Sequence, residues 1–355
     1  MTSPQRQQVV VRKIRDDDKL AVREPQVRRS SGGPPARRRT RLVRGPLTVG
    51  EPAPAIDARL SAADPYRPDT VADGGEAFGL TARAASVRGL FKRYVGGPRQ
   101  DDLCLRLHAP TRTLIVAVAD GVSSAPRSHL GAALAVRQAA ATVARQLDGG
   151  AVEIDWGEIF SQAAWALLEE HRRECADAHA SVEDAAEALA TTLAVAAITE
   201  GEDAVGRDDR GEDAARGDDG GKDPGHDPDQ KACRLQAAAV GDSIAFVLGG
   251  DRFERLVGEE QSADELIGSG VRALPRHTSP AGAQTRSLTP TDVLLVCTDG
   301  LALPLADGRG EVGRMLAREL ATPPDIVDFA RLLDFSRSTY DDDRTLIAVW
   351  PRPEG

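Results

Sequence analysis

The stretch RTLIVAVADGVSSAPRSHLGAALAVRQAAATVARQL, residues 112–147, contains both patterns from which the fold is predicted. It opens with an apolar run that ends in Asp120 and Gly121, which is typical of a buried strand leading into a turn. The Ala-rich remainder, 127–147, carries apolar residues at helical spacing, and Ser128 is placed to cap that helix. The stretch therefore predicts a buried strand and an amphipathic helix in succession.

Similar segments follow along the chain. A second amphipathic helix is predicted over 155–180, with Asp155 as its cap. Strands and helices come in runs rather than in strict alternation, which favours an α+β layered sandwich. Further strands are predicted at 191–199, 233–248, 251–256, 292–300 and 344–350, and shorter helices at 311–320 and 324–335.

Composition excludes several classes of protein. The chain has 355 residues and a net charge of -10, which argues against a dedicated nucleic-acid binder. Its four cysteines form no C-x-x-C pair, which disfavours a disulfide scaffold or a zinc ribbon and fits a reducing cytosol. No apolar run approaches the ~20 residues of a membrane span, and the N-terminus lacks the apolar core of a secretory signal. We therefore expect a cytoplasmic location.

Two segments of biased composition interrupt the pattern. Residues 1–50 hold 13 Arg or Lys against four acids, and we expect 1–80 to be a disordered Arg-, Pro- and Gly-rich tail. A solvated tail is favoured over an arm that docks on an acidic partner, a nucleic acid or a membrane surface. Residues 200–231 are Asp- and Gly-rich without calcium-loop spacing, and predict a flexible acidic insertion. The folded domain is accordingly predicted over 81–352.

Carboxylates recur where the apolar strands begin or end. Asp120 and Asp299 each follow a strand, Asp341–Asp343 precede the last strand, and Asp101 and Asp102 precede another. A sheet holds such side chains rigidly, and several converging carboxylates make an oxygen-only site for Mg²⁺ or Mn²⁺. A single Asp-Gly is more often a common turn dipeptide. Four such positions in one domain shift the interpretation towards a metal site.

Six segments within residues 83–350 form an ordered set. They are SVRGLFKRYVGGPRQDD (86–102), AVADGVSSAPRSHLGAALAV (117–136), ATTLAVAAI (190–198), AAAVGDSIAFVL (237–248), LLVCTDGL (294–301) and DDRTLIAV (342–349). In this chain order they resemble motifs of the metal-dependent protein phosphatase 2C (PPM) family. The resemblance implies a four-layer α-β-β-α sandwich with a dinuclear metal site at one end.

The resemblance also implies a set of metal ligands. Asp101 matches the first metal-binding Asp of the family, and Asp120 matches the one that bridges both metals and the nucleophilic water. Gly121 would offer its carbonyl oxygen, and Asp299 and Asp342 match the last two metal-binding carboxylates. The cofactors expected from the resemblance are two Mn²⁺ or Mg²⁺ ions.

Other acids near these motifs are interpreted differently. Asp102, Asp341 and Asp343 are expected to be turn or cap residues, with Asp343 standing where the family has Asn. Asp242, in Val-Gly-Asp-Ser, is expected to be a structural turn residue. Asp184 is the candidate ligand for a third ion.

The phosphate-binding residue departs from the family pattern. Gly96 stands where the family usually places an Arg, five residues before the first metal-binding Asp. Arg88, Lys92, Arg93 and Arg99 are nearby substitutes, and the sequence leaves the choice among them open.

The function implied by the resemblance is that of a metal-dependent protein serine/threonine phosphatase, a phosphoric monoester hydrolase. A hydroxide that bridges the two metals would attack phosphorus directly, without a covalent enzyme intermediate. Cys297 is interpreted as a buried strand residue. The alternative, favoured by Gly96 and by a reduced flap within 257–290, is a catalytically idle domain that acts as a binding or regulatory module. Some members carry a general-acid His where this chain has Val122.

The expected partners follow from that function. They are a phosphorylated protein substrate and, within signalling, a cognate Ser/Thr kinase. No membrane span and no specific nucleic acid are expected, and the protein is expected to be a monomer.

Overall fold

The computed structural model describes residues 47–61, 67–201, 232–259, 272–305 and 308–352, and the structural statements below concern those ranges. Most of the predicted tail and of the predicted acidic insertion, residues 1–46 and 202–231, lies outside the described residues. All described residues fall within the unit Gly45–Gly355.

In the described chain the two long helices lie between two runs of strands, and three shorter helices precede the last two strands. In this part of the chain no helix has the length and apolar character needed to cross a membrane. The strands are β1 (Leu47–Thr48), β2 (Thr70–Ala77), β3 (Leu80–Val87), β4 (Asp102–His108), β5 (Thr113–Ala119), β6 (Leu193–Glu200), β7 (Cys233–Val240), β8 (Ile244–Gly249), β9 (Arg252–Val257), β10 (Ala283–Leu288), β11 (Asp292–Cys297), β12 (Phe335–Ser336) and β13 (Arg344–Pro351). The helices are α1 (Leu90–Val95), α2 (Ser128–Asp148), α3 (Trp156–Cys175), α4 (Val182–Leu189), α5 (Asp299–Leu305), α6 (Glu311–Glu319) and α7 (Ile326–Leu333).

Two antiparallel sheets form the centre of the fold. The order is β2-β3-β13-β11-β8-β9 in the six-stranded sheet and β10-β7-β6-β5-β4 in the five-stranded sheet. A separate parallel pair, β1 with β12, attaches the beginning of the described chain near the start of the last strand.

Each buried strand contributes side chains to two cores, because successive side chains point to opposite faces of a sheet. In β5, Ile115 and Ala117 pack in the core under α2 and α3. Val116 and Val118 pack instead between the two sheets. A third core, under α5, α6 and α7, covers the other face of the six-stranded sheet. This arrangement confirms the predicted four-layer α-β-β-α sandwich. Because the central strands are buried on both faces, their sequences are continuous apolar runs.

The two long helices begin as predicted, but only one has the predicted cap. Asp155 caps α3, since its Oδ1 accepts a hydrogen bond from the backbone N–H of Glu158 at 3.0 Å. For α2 the prediction is wrong, because Arg127 is the N-cap and no side chain caps the helix. The Ser128 hydroxyl instead accepts a hydrogen bond from Nε2 of Gln100 at 2.8 Å.

The helix predicted over 155–180 ends earlier than predicted, and a second helix follows beyond residue 180. The first ends at Cys175, because Ala176 adopts a left-handed φ of 53°. The second, α4, begins with a capping box in which Ser181 and Asp184 satisfy each other's backbone N–H groups. α4 lies wholly beyond the predicted range and was not predicted from the sequence.

Folded structure begins before the predicted boundary at residue 81. β2 pairs with β3 along its whole length, from Thr70 to Ala77. It contains Gly74 and Gly75 and exposes most of its side chains, so no apolar pattern marks it in the sequence. The backbone ladder with β3 holds β2 at the edge of the sheet, a contact that local composition does not reveal.

The apolar run predicted as one strand over 233–248 is divided between the two sheets. β7 lies in the five-stranded sheet and β8 in the six-stranded sheet, so the chain crosses from one to the other between them. Gly241 has a φ of 85°, and a Cβ there would lie 2.6 Å from the carbonyl oxygen of Arg272. Both the turn and the close packing therefore require glycine.

Candidate functional site

Carboxylates from five separate segments lie at one end of the sandwich. β4 and β5 are paired at Asp102 and Ala119, and β11 and β13 are paired at Cys297 and Leu346. The residues just beyond these pairs, together with the turn between β7 and β8, meet at the same end because neighbouring strands are antiparallel. The five carboxylates are Asp101, Asp120, Asp242, Asp299 and Asp342.

Three of these carboxylates form a tight cluster. Asp120, Asp242 and Asp299 each offer an oxygen that lies within 4.8 Å of the others. The sequence predicts the first and third as metal ligands but interprets Asp242 as a structural turn residue. The crossing between the two sheets places its buried side chain in the cluster. Its signal in the sequence is the same as for the others, an acid where an apolar run is interrupted.

Burial and mutual repulsion raise the pKa values of Asp120 and Asp299. Burial raises the pKa of Asp120 well above its usual value, and the charges of Asp101 and Asp299 add to the effect. Burial also raises the pKa of Asp299, and the charge of Asp342 contributes. A divalent cation would offset both effects by neutralising the carboxylates. The oxygen-only donor set therefore fits a hard cation such as Mg²⁺ or Mn²⁺.

Asp101 is the most deeply buried of the predicted ligands. It is 1% exposed, and its Oδ2 accepts hydrogen bonds from the hydroxyls of Thr298 and Thr345, both at 2.7 Å. Burial, and then the charge of Asp343, raise the pKa of Asp101 to about 7 against the hydrogen bonds from the two threonines. The two hydroxyls, one just after β11 and one on β13, fix the orientation of this carboxylate.

Lys92 provides a positive charge at the edge of the carboxylate group. Its Nζ lies 3.0 Å from Oδ1 of Asp342 and 3.5 Å from Oδ2 of Asp343. Burial by itself lowers the pKa of Lys92, but the charges of Asp343 and Asp342 outweigh it, so the pKa is raised and the ammonium stays charged. Asp343 also accepts hydrogen bonds from the backbone N–H groups of Gly89 and Gln100, at 2.7 and 2.6 Å. Asp343 thus connects two loops, as a turn or cap residue does.

The three arginines predicted as alternative phosphate ligands donate hydrogen bonds to groups other than the side chains of the predicted metal ligands. Arg93 donates to both carboxylate oxygens of Asp69, with the shorter distance at 2.6 Å, and to Asp334 at 2.8 Å. Arg88 shares the Asp69 carboxylate at 3.1 Å. Arg99 is 1% exposed and donates to the hydroxyl of Ser86 and the backbone carbonyl of Asp101. Of the four candidates, Lys92 alone donates a hydrogen bond to the side chain of a predicted metal ligand.

Gly96 has a conformational role that explains the departure from the family pattern. It ends α1 with a φ of 75°, and its N–H donates to the carbonyl of Lys92. An Arg at this position would be strained, because residues with a side chain rarely adopt a left-handed φ. A basic side chain one helical turn earlier, at Lys92, reaches the carboxylates instead.

The two remaining predicted ligands lie in different surroundings. Gly121 is buried next to α2, and a Cβ there would lie 2.8 Å from atoms of Ser128. Its neighbour Asp120 is held through its carbonyl, which accepts hydrogen bonds from Thr191 Oγ1 and Thr192 N at 2.8 Å. Asp184 is exposed, and its carboxylate is occupied in the capping box of α4. The structure therefore places Gly121 beside the cluster and Asp184 outside it.

A cavity of about 560 Å³ opens beside the carboxylate group. Its lining includes Asp342, Arg88 and Arg93, together with Leu90 and residues 53–56 and 58. It offers space next to Asp342 for part of a larger molecule.

Residues 88–207 match the family described as protein phosphatase 2C. The predicted resemblance to this family is confirmed. The protein phosphatase 2C match contains Asp101, Asp120 and Gly121, whereas Asp242 and Asp299 lie beyond its end. No curated protein matches the sequence.

Solved bacterial phosphatases are similar to this chain in structure. A bacterial serine phosphatase is 13% identical, with a TM-score of 0.48 over 81% of this chain and 99% of that chain. The catalytic domain of the serine/threonine phosphatase PstP, in complex with two manganese ions, is 17% identical, with a TM-score of 0.43 over 79% and 98%. The phosphatase Stp1 from Staphylococcus aureus is 12% identical, with a TM-score of 0.46 over 88% and 100%.

Proposed function

We propose that this protein is a metal-dependent phosphatase that hydrolyses phosphoserine and phosphothreonine in proteins. The observation that carries the proposal is the cluster of Asp120, Asp242 and Asp299, whose oxygens converge within 4.8 Å at the end of a protein phosphatase 2C-like fold. Carboxylates brought so close destabilise a fold unless a cation joins them. We expect that cation to be Mn²⁺ or Mg²⁺, present as two ions.

Each predicted ligand has a defined part in this proposal. Asp120 would bridge the ions, with Gly121 adding its carbonyl, and Asp101, Asp299 and Asp342 would complete the set; Asp242 joins them on the geometry. When bound, the ions supply activated water and neutralise charge on the phosphoryl oxygens. The chain's own part is to hold these side chains rigidly at the ends of paired strands.

Lys92 is the residue that we assign to the substrate phosphate. Its ammonium is charged and is held beside Asp342, which lines the cavity of about 560 Å³. Arg88 and Arg93 are paired with Asp69, and Arg99 is hydrogen-bonded to the loop around Asp101. These three arginines therefore stabilise the residues that surround the site. A phosphoryl group at Lys92 would exchange one anionic partner of the ammonium for another.

A thiol mechanism is disfavoured by the surroundings of Cys297. Burial raises the pKa of its thiol, and the charge of Asp299 adds to the effect, so the thiolate is not formed at neutral pH. Val122 packs with Ala125 and Ala190 and offers no proton donor.

The second candidate function is a catalytically idle domain that acts as a binding or regulatory module. The observation that favours it is the pairing of Lys92 with Asp342, which satisfies a predicted metal ligand with a side chain of the protein itself. A cognate kinase, a cytoplasmic location and a monomeric state stay predictions under either function.

The deciding experiment is hydrolysis of p-nitrophenyl phosphate and a phosphothreonine peptide with Mn²⁺, with Mg²⁺ and with EDTA. We expect turnover that requires the metal and falls at least about a hundredfold in Asp120→Asn. The matched control is Asp177→Asn, which removes an exposed carboxylate after α3 and should keep full activity. Metal binding by calorimetry without turnover on either substrate would favour the idle domain.

A further inference from the structure

A pocket lined by four arginines lies at the opposite end of the sandwich from the carboxylates. It is formed by the β8–β9 turn, the loop before α6 and α6 itself, and its volume is about 900 Å³. Phe253 and Ala317 supply its apolar lining, and Asp251 is its acidic lining residue. The arginines are Arg252, Arg309, Arg314 and Arg318.

Strand register fixes the position of this pocket. β8 begins next to Asp242, where Ile244 pairs with Cys297, and ends at Gly249, which pairs with Arg252. Its six residues span about 20 Å at the rise of a β-strand. An anion in the arginine pocket is therefore remote from the carboxylate cluster and is not a reacting phosphate.

Two of the four guanidinium groups have no carboxylate partner among the described residues. Within that part of the chain Arg252 and Arg314 make no ion pair, and Arg314 donates a hydrogen bond to the backbone carbonyl of Arg309. Arg318 pairs with its neighbour Glu319 at 2.8 Å on the exposed side of α6. Asp307, next to this loop in sequence, lies outside the described residues. The pocket has the charge and width to receive several carboxylates.

The acidic segment 202–231 has the complementary charge. It contains eleven Asp or Glu and five Arg or Lys, a net charge of -6. Glu200 pairs with Cys233 at the end of β7 that lies away from Asp242, so Gly201 and Ala232 leave the sheet at the same end as the pocket. Thirty residues can span up to about 100 Å, and the sheets stack about 10 Å apart, so length does not limit the reach.

We propose that the acidic segment 202–231 docks through its carboxylates in the arginine pocket of the same chain. Covalent attachment gives the segment an effective concentration of about millimolar at a site it can reach, which favours it over an acidic partner in solution. Docking would place the chain's own polyanion on a surface that would otherwise attract polyanions from solution. The inference is independent of the phosphatase proposal.

The test measures how fast phenylglyoxal modifies each arginine of the full chain, read by mass spectrometry at low salt. The test variant replaces four acids of the segment with Asn. We expect about three- to tenfold faster modification of Arg252 and Arg314 in that variant, and in the native chain at high salt. Arg106, exposed on β4, is the internal reference and should not change. The replaced residues are Asp208, Asp209, Asp218 and Asp219.

A matched control separates docking from a change in net charge. It replaces four exposed aspartates outside the segment with Asn, and it should leave the modification rates at the pocket unchanged. Equal rates at Arg252 in the native chain and the test variant would overturn the proposal. So would acceleration confined to arginines of residues 1–46, which would show that the segment pairs with the basic tail, or protection that depends on protein concentration, which would show docking between copies. The control residues are Asp57, Asp148, Asp177 and Asp325.

Discussion

The two ends of the sandwich carry opposite charges on one scaffold. At one end, five carboxylates at strand ends lie beside a single buried ammonium, Lys92, and are partly or fully withdrawn from water. At the other end, four exposed guanidinium groups surround an open pocket. Burial makes the first end sensitive to pH and to divalent cations, because an unpaired buried charge is costly. Exposure makes the second end sensitive to ionic strength, because solvent and salt screen surface charges.

The largest expected effect is a loss of stability of the metal-free protein as the pH rises. The pKa of Asp101 is about 7 in the folded protein against a usual value of 3.8, so the folded state binds this proton more tightly than the unfolded state. The contribution of this proton to the free energy of unfolding is fully present below about pH 4 and is lost as the pH rises through about 7. It amounts to a few kcal/mol. Urea unfolding in EDTA from about pH 5 to about pH 8 measures it.

Two comparisons test whether this pH dependence of stability arises at the carboxylate end. In Asp101→Asn the metal-free stability should depend less on pH, and saturating Mn²⁺ should restore the stability of the native chain at high pH. Identical slopes for the native chain and Asp101→Asn would contradict the assignment.

A smaller effect is expected from Asp242, the carboxylate that the structure adds to the cluster. Asp242→Asn removes one of three converging charges and should weaken Mn²⁺ binding about 10- to 100-fold. Isothermal titration calorimetry measures the change, with Asp177→Asn as the control. Unaltered affinity in Asp242→Asn would return this residue to the role of a structural turn residue.

Next in size is the expected effect of Lys92 on substrate binding. Lys92→Gln removes the ammonium beside Asp342 and should raise KM for a phosphothreonine peptide about tenfold, with a smaller change in kcat. Lys92→Arg should recover most of the loss, because a guanidinium also binds phosphate. If kcat falls while KM is unchanged in Lys92→Gln, then Lys92 acts by positioning Asp342 and not by binding phosphate.

The smallest effect concerns the expectation of a third ion at Asp184. Ser181→Ala breaks the capping box of α4 and should cost about 1 kcal/mol of stability. Since Asp184 lies outside the cluster, Asp184→Asn should lower stability by a similar or smaller amount and leave the number of bound Mn²⁺ ions unchanged. Loss of one ion in Asp184→Asn would restore the third-ion interpretation.

Most of the layered architecture could be predicted from sequence patterns. β5, α2 and β13 carry continuous apolar runs or helical periodicity, and their predicted bounds differ from the structure by at most one residue. β2 was missed because its pairing with β3 lies in backbone hydrogen bonds and not in its side chains. The cap of α2 was missed because the Ser128 hydroxyl contacts Gln100, which is distant in sequence.

The sequence by itself determined which segments are strands and helices and which acids stand at their ends, because these properties depend on residues close together in the chain. Only the tertiary structure decided that Asp242 joins Asp120 and Asp299, and that Lys92, not Arg93 or Arg99, reaches a predicted metal ligand. Those outcomes depend on strand register and on the crossing of the chain between two sheets. Contacts between residues far apart in sequence set both, and no local pattern encodes them.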